Sequence, residues 1–143
     1  MAVDLYSQGL EQLVGSSQRE KRATLLSNRS AAYAALGRWD EALRDADEAC
    51  ELAPTWAKPY ARKGKAHFSR REFHKAATAY AKGCEAALKS AEEQKQHHEA
   101  EMAALQRQAQ TQAEEYARLL TQVATLKATL EDYELLFGKS KNS

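Results

Sequence analysis

The sequence predicts an all-α protein in which about two and a half helical hairpins run into one long C-terminal helix. Three observations lead to this prediction. The 143 residues include only six glycines and two prolines, and good helix formers dominate the remainder. The chain also matches itself at a separation of 34 residues. Between Gly83 and Gly138 neither glycine nor proline occurs, so nothing signals an end to the last helix.

The 34-residue period defines two full hairpins, predicted over residues 23–54 and 57–88. Small residues recur where the two helices of a hairpin must approach closely: Ser30/Gly64, Ala42/Ala76 and Ala49/Gly83. A short turn is expected near Gly37 in the first hairpin and near Arg71 in the second, with an aromatic residue (Trp39 or Phe73) wedged beneath it. Pro54 cannot continue a helix and ends the first hairpin.

A partial unit precedes the two hairpins. Four residues near the N-terminus match the second helix of the first hairpin at a separation of 40, which is one period plus a six-residue insertion: Ala2, Tyr6, Gly9 and Leu10. Residues 1–14 are therefore predicted to be the second helix of an incomplete repeat, whose first helix would lie before Met1. The repeats together occupy residues 1–83.

The segment 84–137 is predicted to be a long helix that forms a coiled coil, followed by a disordered tail at 138–143. Positions spaced alternately by three and four residues are mostly apolar over five heptads. This seam consists of Met102, Leu105, Ala109, Gln112, Tyr116, Leu119, Val123, Leu126, Leu130, Tyr133 and Phe137. An exposed apolar stripe needs a partner helix, and self-association, with a dimer favoured, is the simplest solution. The competing interpretation is a helix that folds back on the repeats after a break near residues 94–98. The flanking residues leave strand number and direction open.

Several classes of function are excluded by what the sequence lacks. It contains no nucleophile, base or metal-ligand motif, so we expect no enzyme activity, no catalytic residue, no metal site and no cofactor. No apolar run is long enough to span a membrane. The net charge of +1 disfavours a nucleic-acid or membrane-surface partner held by bulk charge. Two cysteines and no signal-peptide pattern indicate reduced thiols in a cytoplasmic protein.

The period, the small residues, the aromatic and the proline at Pro54 resemble the tetratricopeptide repeat (TPR). The segments LLSNRSA (25–31) and WAKPYARK (56–63) are further similar to the carboxylate-clamp repeats of Hsp70 and Hsp90 co-chaperones of the Hop and CHIP type. In that family the clamp holds the C-terminal carboxylate and aspartate side chain of an EEVD tail. The resemblance covers about residues 2–88.

Four residues form the candidate peptide-binding site. Lys58, Arg62 and Lys65 lie on one face of the first helix of the last repeat, and Asn28 lies one period before Arg62. Arginine can grip a carboxylate with two hydrogen bonds and lysine can act as a point charge. The resemblance assigns clamp roles to Asn28, Lys58 and Arg62. Two more clamp residues would come from the first helix of the incomplete repeat, so we expect this chain to bind an EEVD peptide weakly or not at all.

The sequence thus predicts a co-chaperone-like adaptor whose repeats bind the acidic tail of Hsp70 or Hsp90 and whose coiled coil joins two copies. The alternative is a cytoskeletal or ciliary scaffold in which the coiled coil is the main element and the repeats dock it without chaperone binding. Charge is distributed unevenly, with +4 on residues 1–83 and −3 on the remainder. The repeat segment therefore favours an anionic partner.

Overall fold

The computed structural model describes residues 1–13 and 18–138, and within these ranges it contains five α-helices and no strand. The helices are α1 (Ala2–Gln12), α2 (Arg19–Ala35), α3 (Trp39–Leu52), α4 (Ala57–Ser69) and α5 (Phe73–Phe137). The predicted all-α class, with helical hairpins followed by one long helix, is confirmed. Residue 14, the end of the first predicted helix, and all of the predicted tail except Gly138 lie outside the described residues.

The turns that close the two hairpins have the same geometry one period apart. Gly37 (φ 72°) and Arg71 (φ 61°) both occupy the left-handed region. After α4, the amide of Glu72 donates to the His67 carbonyl and the amide of Arg71 to the Phe68 carbonyl, both at 2.9 Å. This is the Schellman arrangement, which satisfies the last carbonyls of a helix. The two turns lie where the sequence predicts them, near Gly37 and Arg71.

Small side chains let the helices of each hairpin pack closely, as the sequence predicts. Ala42, Ala46 and Ala49 of α3 are almost completely buried. A Cβ atom added to Gly83 would lie 3.1 Å from Cβ of Tyr60. Ser30 is buried and its hydroxyl donates to the Ala42 carbonyl at 2.7 Å. The close approach of the helices therefore depends on these positions staying small.

The helix α1 packs on α2 as the second helix of a repeat packs on its neighbour. A Cβ atom at Gly9 would lie 3.1 Å from Leu25 Cδ1, and Leu10 joins Leu26 and Ala49 in one buried cluster. Arg29 ties three helices together, because its guanidinium donates to both carboxylate oxygens of Asp45 on α3 and to the hydroxyl of Ser7 on α1.

The aromatic residues after the turns are less buried than the sequence predicts. Trp39 is half-buried, but Phe73 is 57% exposed. The Phe73 ring lies edge-on to Phe68, with 5.4 Å between ring centroids, rather than beneath the turn. Phe73 therefore does not form the buried wedge that the sequence predicts, although its contact with Phe68 joins the two sides of the turn.

The chain divides into two compact units, the first spanning Met1–Lys95 and the second beginning at Gln96. The first unit contains α1–α4 and the beginning of α5. It reaches beyond the predicted division after residue 83, because Gly83 and Ala86 are still buried. In the second unit, the described side chains from Gln96 to Gly138 are exposed except for the partly exposed Ala103.

Candidate functional site

The predicted peptide-binding residues lie on two neighbouring helices of the first unit. Asn28 is on α2 and half-buried, and α2 packs against α4. On α4, Lys58 and Lys65 are exposed and Arg62 is half-buried. At about 100° per residue these three side chains fall within an arc of roughly 60° on the helix. The structure therefore places one basic stripe of α4 next to the helix that carries Asn28.

No carboxylate neutralises this stripe within the described residues. The helix α4 contains no acidic residue, and Lys58, Arg62 and Lys65 form no ion pair there. Cations elsewhere on α4 and its end are paired: Lys63 Nζ lies 2.6 Å from Asp47 Oδ1, and Arg70 contacts Asp40 at 2.7 Å. The positive charge of the stripe is thus available to an anionic ligand.

Arg62 is the most constrained member of the stripe. Its Nε atom is buried and has no hydrogen-bond partner among the described residues. A buried, charged donor without an acceptor costs free energy, and a side-chain rearrangement that brings Nε into contact with a carboxylate oxygen would recover this cost. Sequence spacing predicts the position of Arg62 on the stripe but cannot indicate that its Nε is withdrawn from solvent.

The opposite face of α4 lines a second concave feature that the sequence did not predict. Tyr60, Lys63 and His67 lie about 170° around the helix from the basic stripe. They line a groove of about 880 Å³, together with residues of α3 and α5 such as Cys50 and Lys82. Its lining mixes both charges with apolar and thiol groups, so no spacing rule would have revealed it. The described residues include no cluster of three or more histidine, cysteine or acidic side chains that could hold a metal ion.

Local contacts define the chemical state of the groove. Burial raises the pKa of the Cys50 thiol to about 11, so this thiol is protonated at neutral pH and is a poor nucleophile. His67 is 8% exposed and its Nδ1 lies 3.2 Å from Glu72 Oε2. The ammonium of Lys75 lies 3.1 Å from the same oxygen. The Cys50 thiol is therefore not an activated nucleophile, and His67 contacts the turn between α4 and α5 through Glu72.

The predicted coiled-coil seam lies entirely on α5, and each of its eleven side chains is exposed. Among the nine large apolar side chains of the seam, the exposed fraction ranges from 46% at Met102 to 69% at Leu126. An apolar stripe of this length is uncommon on the surface of a soluble monomer. Among the described helices, none is both long and apolar enough to cross a membrane.

The repeats are similar in sequence to a known repeat family and to two known co-chaperones. The tetratricopeptide repeat family matches residues 23–56. The Hsp70-Hsp90 organizing protein of Triticum aestivum is 51% identical over 59 residues, which are 41% of this chain and 10% of that protein. The co-chaperone sgt12 of Aspergillus fumigatus is 39% identical over 85 residues, or 59% of this chain and 23% of that protein.

A solved structure shows the same architecture. The TPR domain of Sgt2 from Aspergillus fumigatus superimposes with a TM-score of 0.52 at 37% identity, covering 59% of this chain and 52% of that one. The chain spans between about a tenth and a quarter of the length of the two curated relatives. Residues 23–56 of this chain thus match the tetratricopeptide repeat, and the repeat segment resembles the TPR domains of Hsp70–Hsp90 organizing and Sgt2 co-chaperones.

Proposed function

We propose that the protein is an adaptor whose repeats bind an acidic C-terminal peptide, of the EEVD type found on Hsp70 and Hsp90, and whose long helix joins two copies. The observation that carries the peptide-binding part is the unneutralised stripe on α4, with the buried and unpartnered Nε of Arg62 at its centre. Similarity to co-chaperones named for Hsp70 and Hsp90 supports the choice of ligand. Such a role would place the protein in the cytoplasm.

The ligand chemistry follows from the donors present. The guanidinium of Arg62 has a rigid pair of donors that matches the two oxygens of a carboxylate. Lys58 and Lys65 flank it on the same helix face and would contribute as point charges. The side-chain amide of Asn28 can both donate and accept, which suits the backbone of an extended peptide. A ligand with a terminal carboxylate beside an acidic side chain would use all four.

Titration of an acidic peptide ending in EEVD into the chain, monitored by NMR chemical shifts, tests the peptide-binding site. We expect Arg62→Ala and Lys58→Ala each to weaken binding at least tenfold, because each removes a charge-assisted contact. Lys82→Ala, which removes an exposed lysine on α5, is the charge-matched control and should bind like the wild type. A peptide with an amidated C-terminus should bind much more weakly.

Equal affinity of the wild type, Arg62→Ala and Lys58→Ala would overturn the assigned site. Equal affinity for the amidated peptide would show that the ligand is not recognised through a terminal carboxylate. Measurement at two salt concentrations adds a further check, since contacts between exposed charges weaken as salt rises.

The exposed apolar seam of α5 supports the proposed association of two copies. A helix with such a stripe gains by burying it against another helix. The mass of one chain is 15.9 kDa, and light scattering should give twice this value. Replacing Leu119 and Leu126 together with glutamate should convert the dimer to a monomer, whereas the same change at the seam-distant Ala117 and Ala124 should not. A wild-type monomer would overturn this part of the proposal.

The seam also favours a second function, a structural scaffold with the repeats as a docking element. The two functions differ in one measurable respect. An adaptor of the proposed kind binds the EEVD peptide through the basic stripe, whereas the scaffold requires only the dimer. Dimerisation without any peptide binding would therefore favour the scaffold.

A further inference from the structure

The outer face of α5 within the first unit is apolar and uncovered. Leu88 is 72% exposed, and Cys84 one turn before it is exposed as well. One period earlier, the residue equivalent to Cys84 is Cys50, which is half-buried. The same contrast holds on the neighbouring helices, where Ser27 of α2 is buried but its equivalent on α4, Ala61, is exposed. In the preceding repeat this face is covered by a following helix, and here it is open.

This open face follows the spacing of the seam. Counting back from Met102 by alternating steps of four and three residues gives the positions His98, Lys95, Ala91, Leu88, Cys84, Ala81 and Ala77. All of them are exposed. The whole stripe therefore runs from Ala77 to Phe137 on α5. Its first part carries mainly small side chains and its last part mainly large ones.

A parallel pairing of two such stripes in register would match each residue with itself. Lys95 would then face Lys95 of the other copy, which opposes two like charges in the seam. Ala77 and Ala81 would each face another alanine and leave space between the helices, while the rings of Tyr133 and Phe137 would face one another and crowd it. Cavities and overpacking both cost stability.

An antiparallel pairing centred on residue 107 matches a small residue with a larger one in five of its nine layers. It uses every position of the stripe in the following layers: Ala77–Phe137, Ala81–Tyr133, Cys84–Leu130, Leu88–Leu126, Ala91–Val123, Lys95–Leu119, His98–Tyr116, Met102–Gln112 and Leu105–Ala109. No like charges face one another in these layers. The apolar stem of Lys95 can lie along Leu119 while its ammonium stays outside the apolar contact. A shift of one heptad in either direction leaves positions at the ends of the stripe without a partner.

We propose that α5 pairs antiparallel with α5 of a second copy in this register, so that the last turns of one helix cover the open face of the last repeat in the other copy. This inference rests on the proposed association of two copies and specifies its direction and alignment. It gives one occupant, a second copy of this chain, to the exposed side chains of Cys84 and Leu88.

Disulfide formation at defined positions tests the alignment. A disulfide requires Cα atoms within about 7 Å. In the proposed dimer the two Cys84 residues are 46 helix positions apart along the paired axis, or about 69 Å at 1.5 Å per residue, so they cannot join. Each Cys84 instead faces Leu130 of the other copy. The variants carry Cys50→Ala to remove the second native thiol, and copper phenanthroline in air accepts the two electrons while the thiols release two protons.

We expect Cys50→Ala/Leu130→Cys to form a covalent dimer at least tenfold faster than Cys50→Ala alone. Cys50→Ala/Val123→Cys is the matched control. Its new thiol lies one heptad away from the position that faces Cys84, so its covalent dimer should form no faster than that of Cys50→Ala alone. Circular dichroism checks that each variant keeps its helix content. A second pair, Ala91→Cys with Val123→Cys in a chain lacking both native cysteines, tests the same alignment independently should Leu130→Cys fail to fold.

Four other results would contradict the inference, each for a different reason. Fast covalent dimerisation of Cys50→Ala alone would indicate a parallel pairing, with the proposed association intact. Equal rates for Leu130→Cys and Val123→Cys would exclude this register. A disulfide formed within a monomer would show that the helix folds back on its own repeats. A monomeric mass without any disulfide would contradict the proposed association itself.

Discussion

The ring of Tyr80 lies so close to Gly64 that a Cβ atom at Gly64 would come within 2.7 Å of Tyr80 Cε1. The preceding repeat places Ser30 and Ala46 at these two positions, and both are buried. The side-chain volume at the crossing of the two helices is thus divided differently in the two repeats. In one it is shared between two small residues, and in the other it comes almost entirely from the tyrosine.

Gly64→Ala should therefore destabilise the repeats, although alanine is the better helix former by about 1 kcal/mol. Overpacking of a tight contact typically costs about 1–3 kcal/mol, so we expect a net loss of up to about 2 kcal/mol. Gly64→Ala combined with Tyr80→Ala should recover part of this loss, because the ring that clashes is gone. Urea unfolding monitored by the fluorescence of Trp39 and Trp56 measures all four members of the double-mutant cycle. Additive effects of the two changes would show that the residues are not coupled.

The conformation of Arg71 leads to a second prediction. Its φ of 61° is costly for a residue with a side chain, whereas Gly37 occupies the equivalent turn without that cost. Arg71 is exposed and forms no ion pair among the described residues. Arg71→Gly should raise the free energy of unfolding by about 0.5–1 kcal/mol, and Gly37→Ala should lower it by about 1 kcal/mol. Urea unfolding tests both, and a destabilising Arg71→Gly would contradict the prediction.

Local sequence signals predicted the fold well, because the ends of helices depend on residues close together in the sequence. Glycine and proline determine where helices end, and the 34-residue period identified Ser30 and Gly64 as positions of close approach. The sequence could not predict that Tyr80 fills the space at Gly64, since this requires knowing which side chains meet across two helices. For the same reason the position of Phe73 was predicted wrongly. The repeat pattern places an aromatic residue after the turn, but it does not determine how deeply the ring is buried.

Residue spacing likewise predicts only part of the candidate site. Helical periodicity predicted that Lys58, Arg62 and Lys65 share one face, because only residue numbers are needed. It could not predict which cations lack a carboxylate partner. Lys63 is adjacent to Arg62 in sequence, yet it pairs with Asp47 on another helix. That distinction depends on the packing of α4 against α3.

The two cysteines should differ strongly in reactivity although they are equivalent in the repeat. Burial raises the pKa of Cys50 to about 11, so roughly one molecule in a thousand carries a thiolate there at pH 8. Cys84 is exposed. In the monomeric Leu119→Glu/Leu126→Glu variant, iodoacetamide at pH 8 should therefore label Cys84 first and Cys50 at least tenfold more slowly, as measured by mass spectrometry of peptides. Denaturant should equalise the two rates. Equal labelling of the native protein would mean that Cys50 is not shielded.

The carboxylate of Glu72 should make stability depend on pH. Its hydrogen bond with Lys75 is the main cause that lowers its pKa, and Arg70 and His67 act in the same direction. A carboxyl group whose pKa is lower in the folded than in the unfolded chain stabilises the fold above its unfolded pKa. This contribution is lost as pH falls through the folded pKa.

Glu72→Gln should therefore be less stable than the wild type at pH 7, and the difference should shrink steadily as pH falls below about 4.5, the ordinary value for a glutamate. Thermal unfolding of both proteins between pH 7 and pH 3, followed by circular dichroism, gives the difference at each pH. Glu85→Gln is the control, because it removes the same charge from an exposed position of α5 without an ion pair in the described residues, and it should change the melting temperature little. A difference between Glu72→Gln and wild type that stays constant down to pH 3 would show that the turn is held by packing, as between Phe68 and Phe73, rather than by the charge of Glu72.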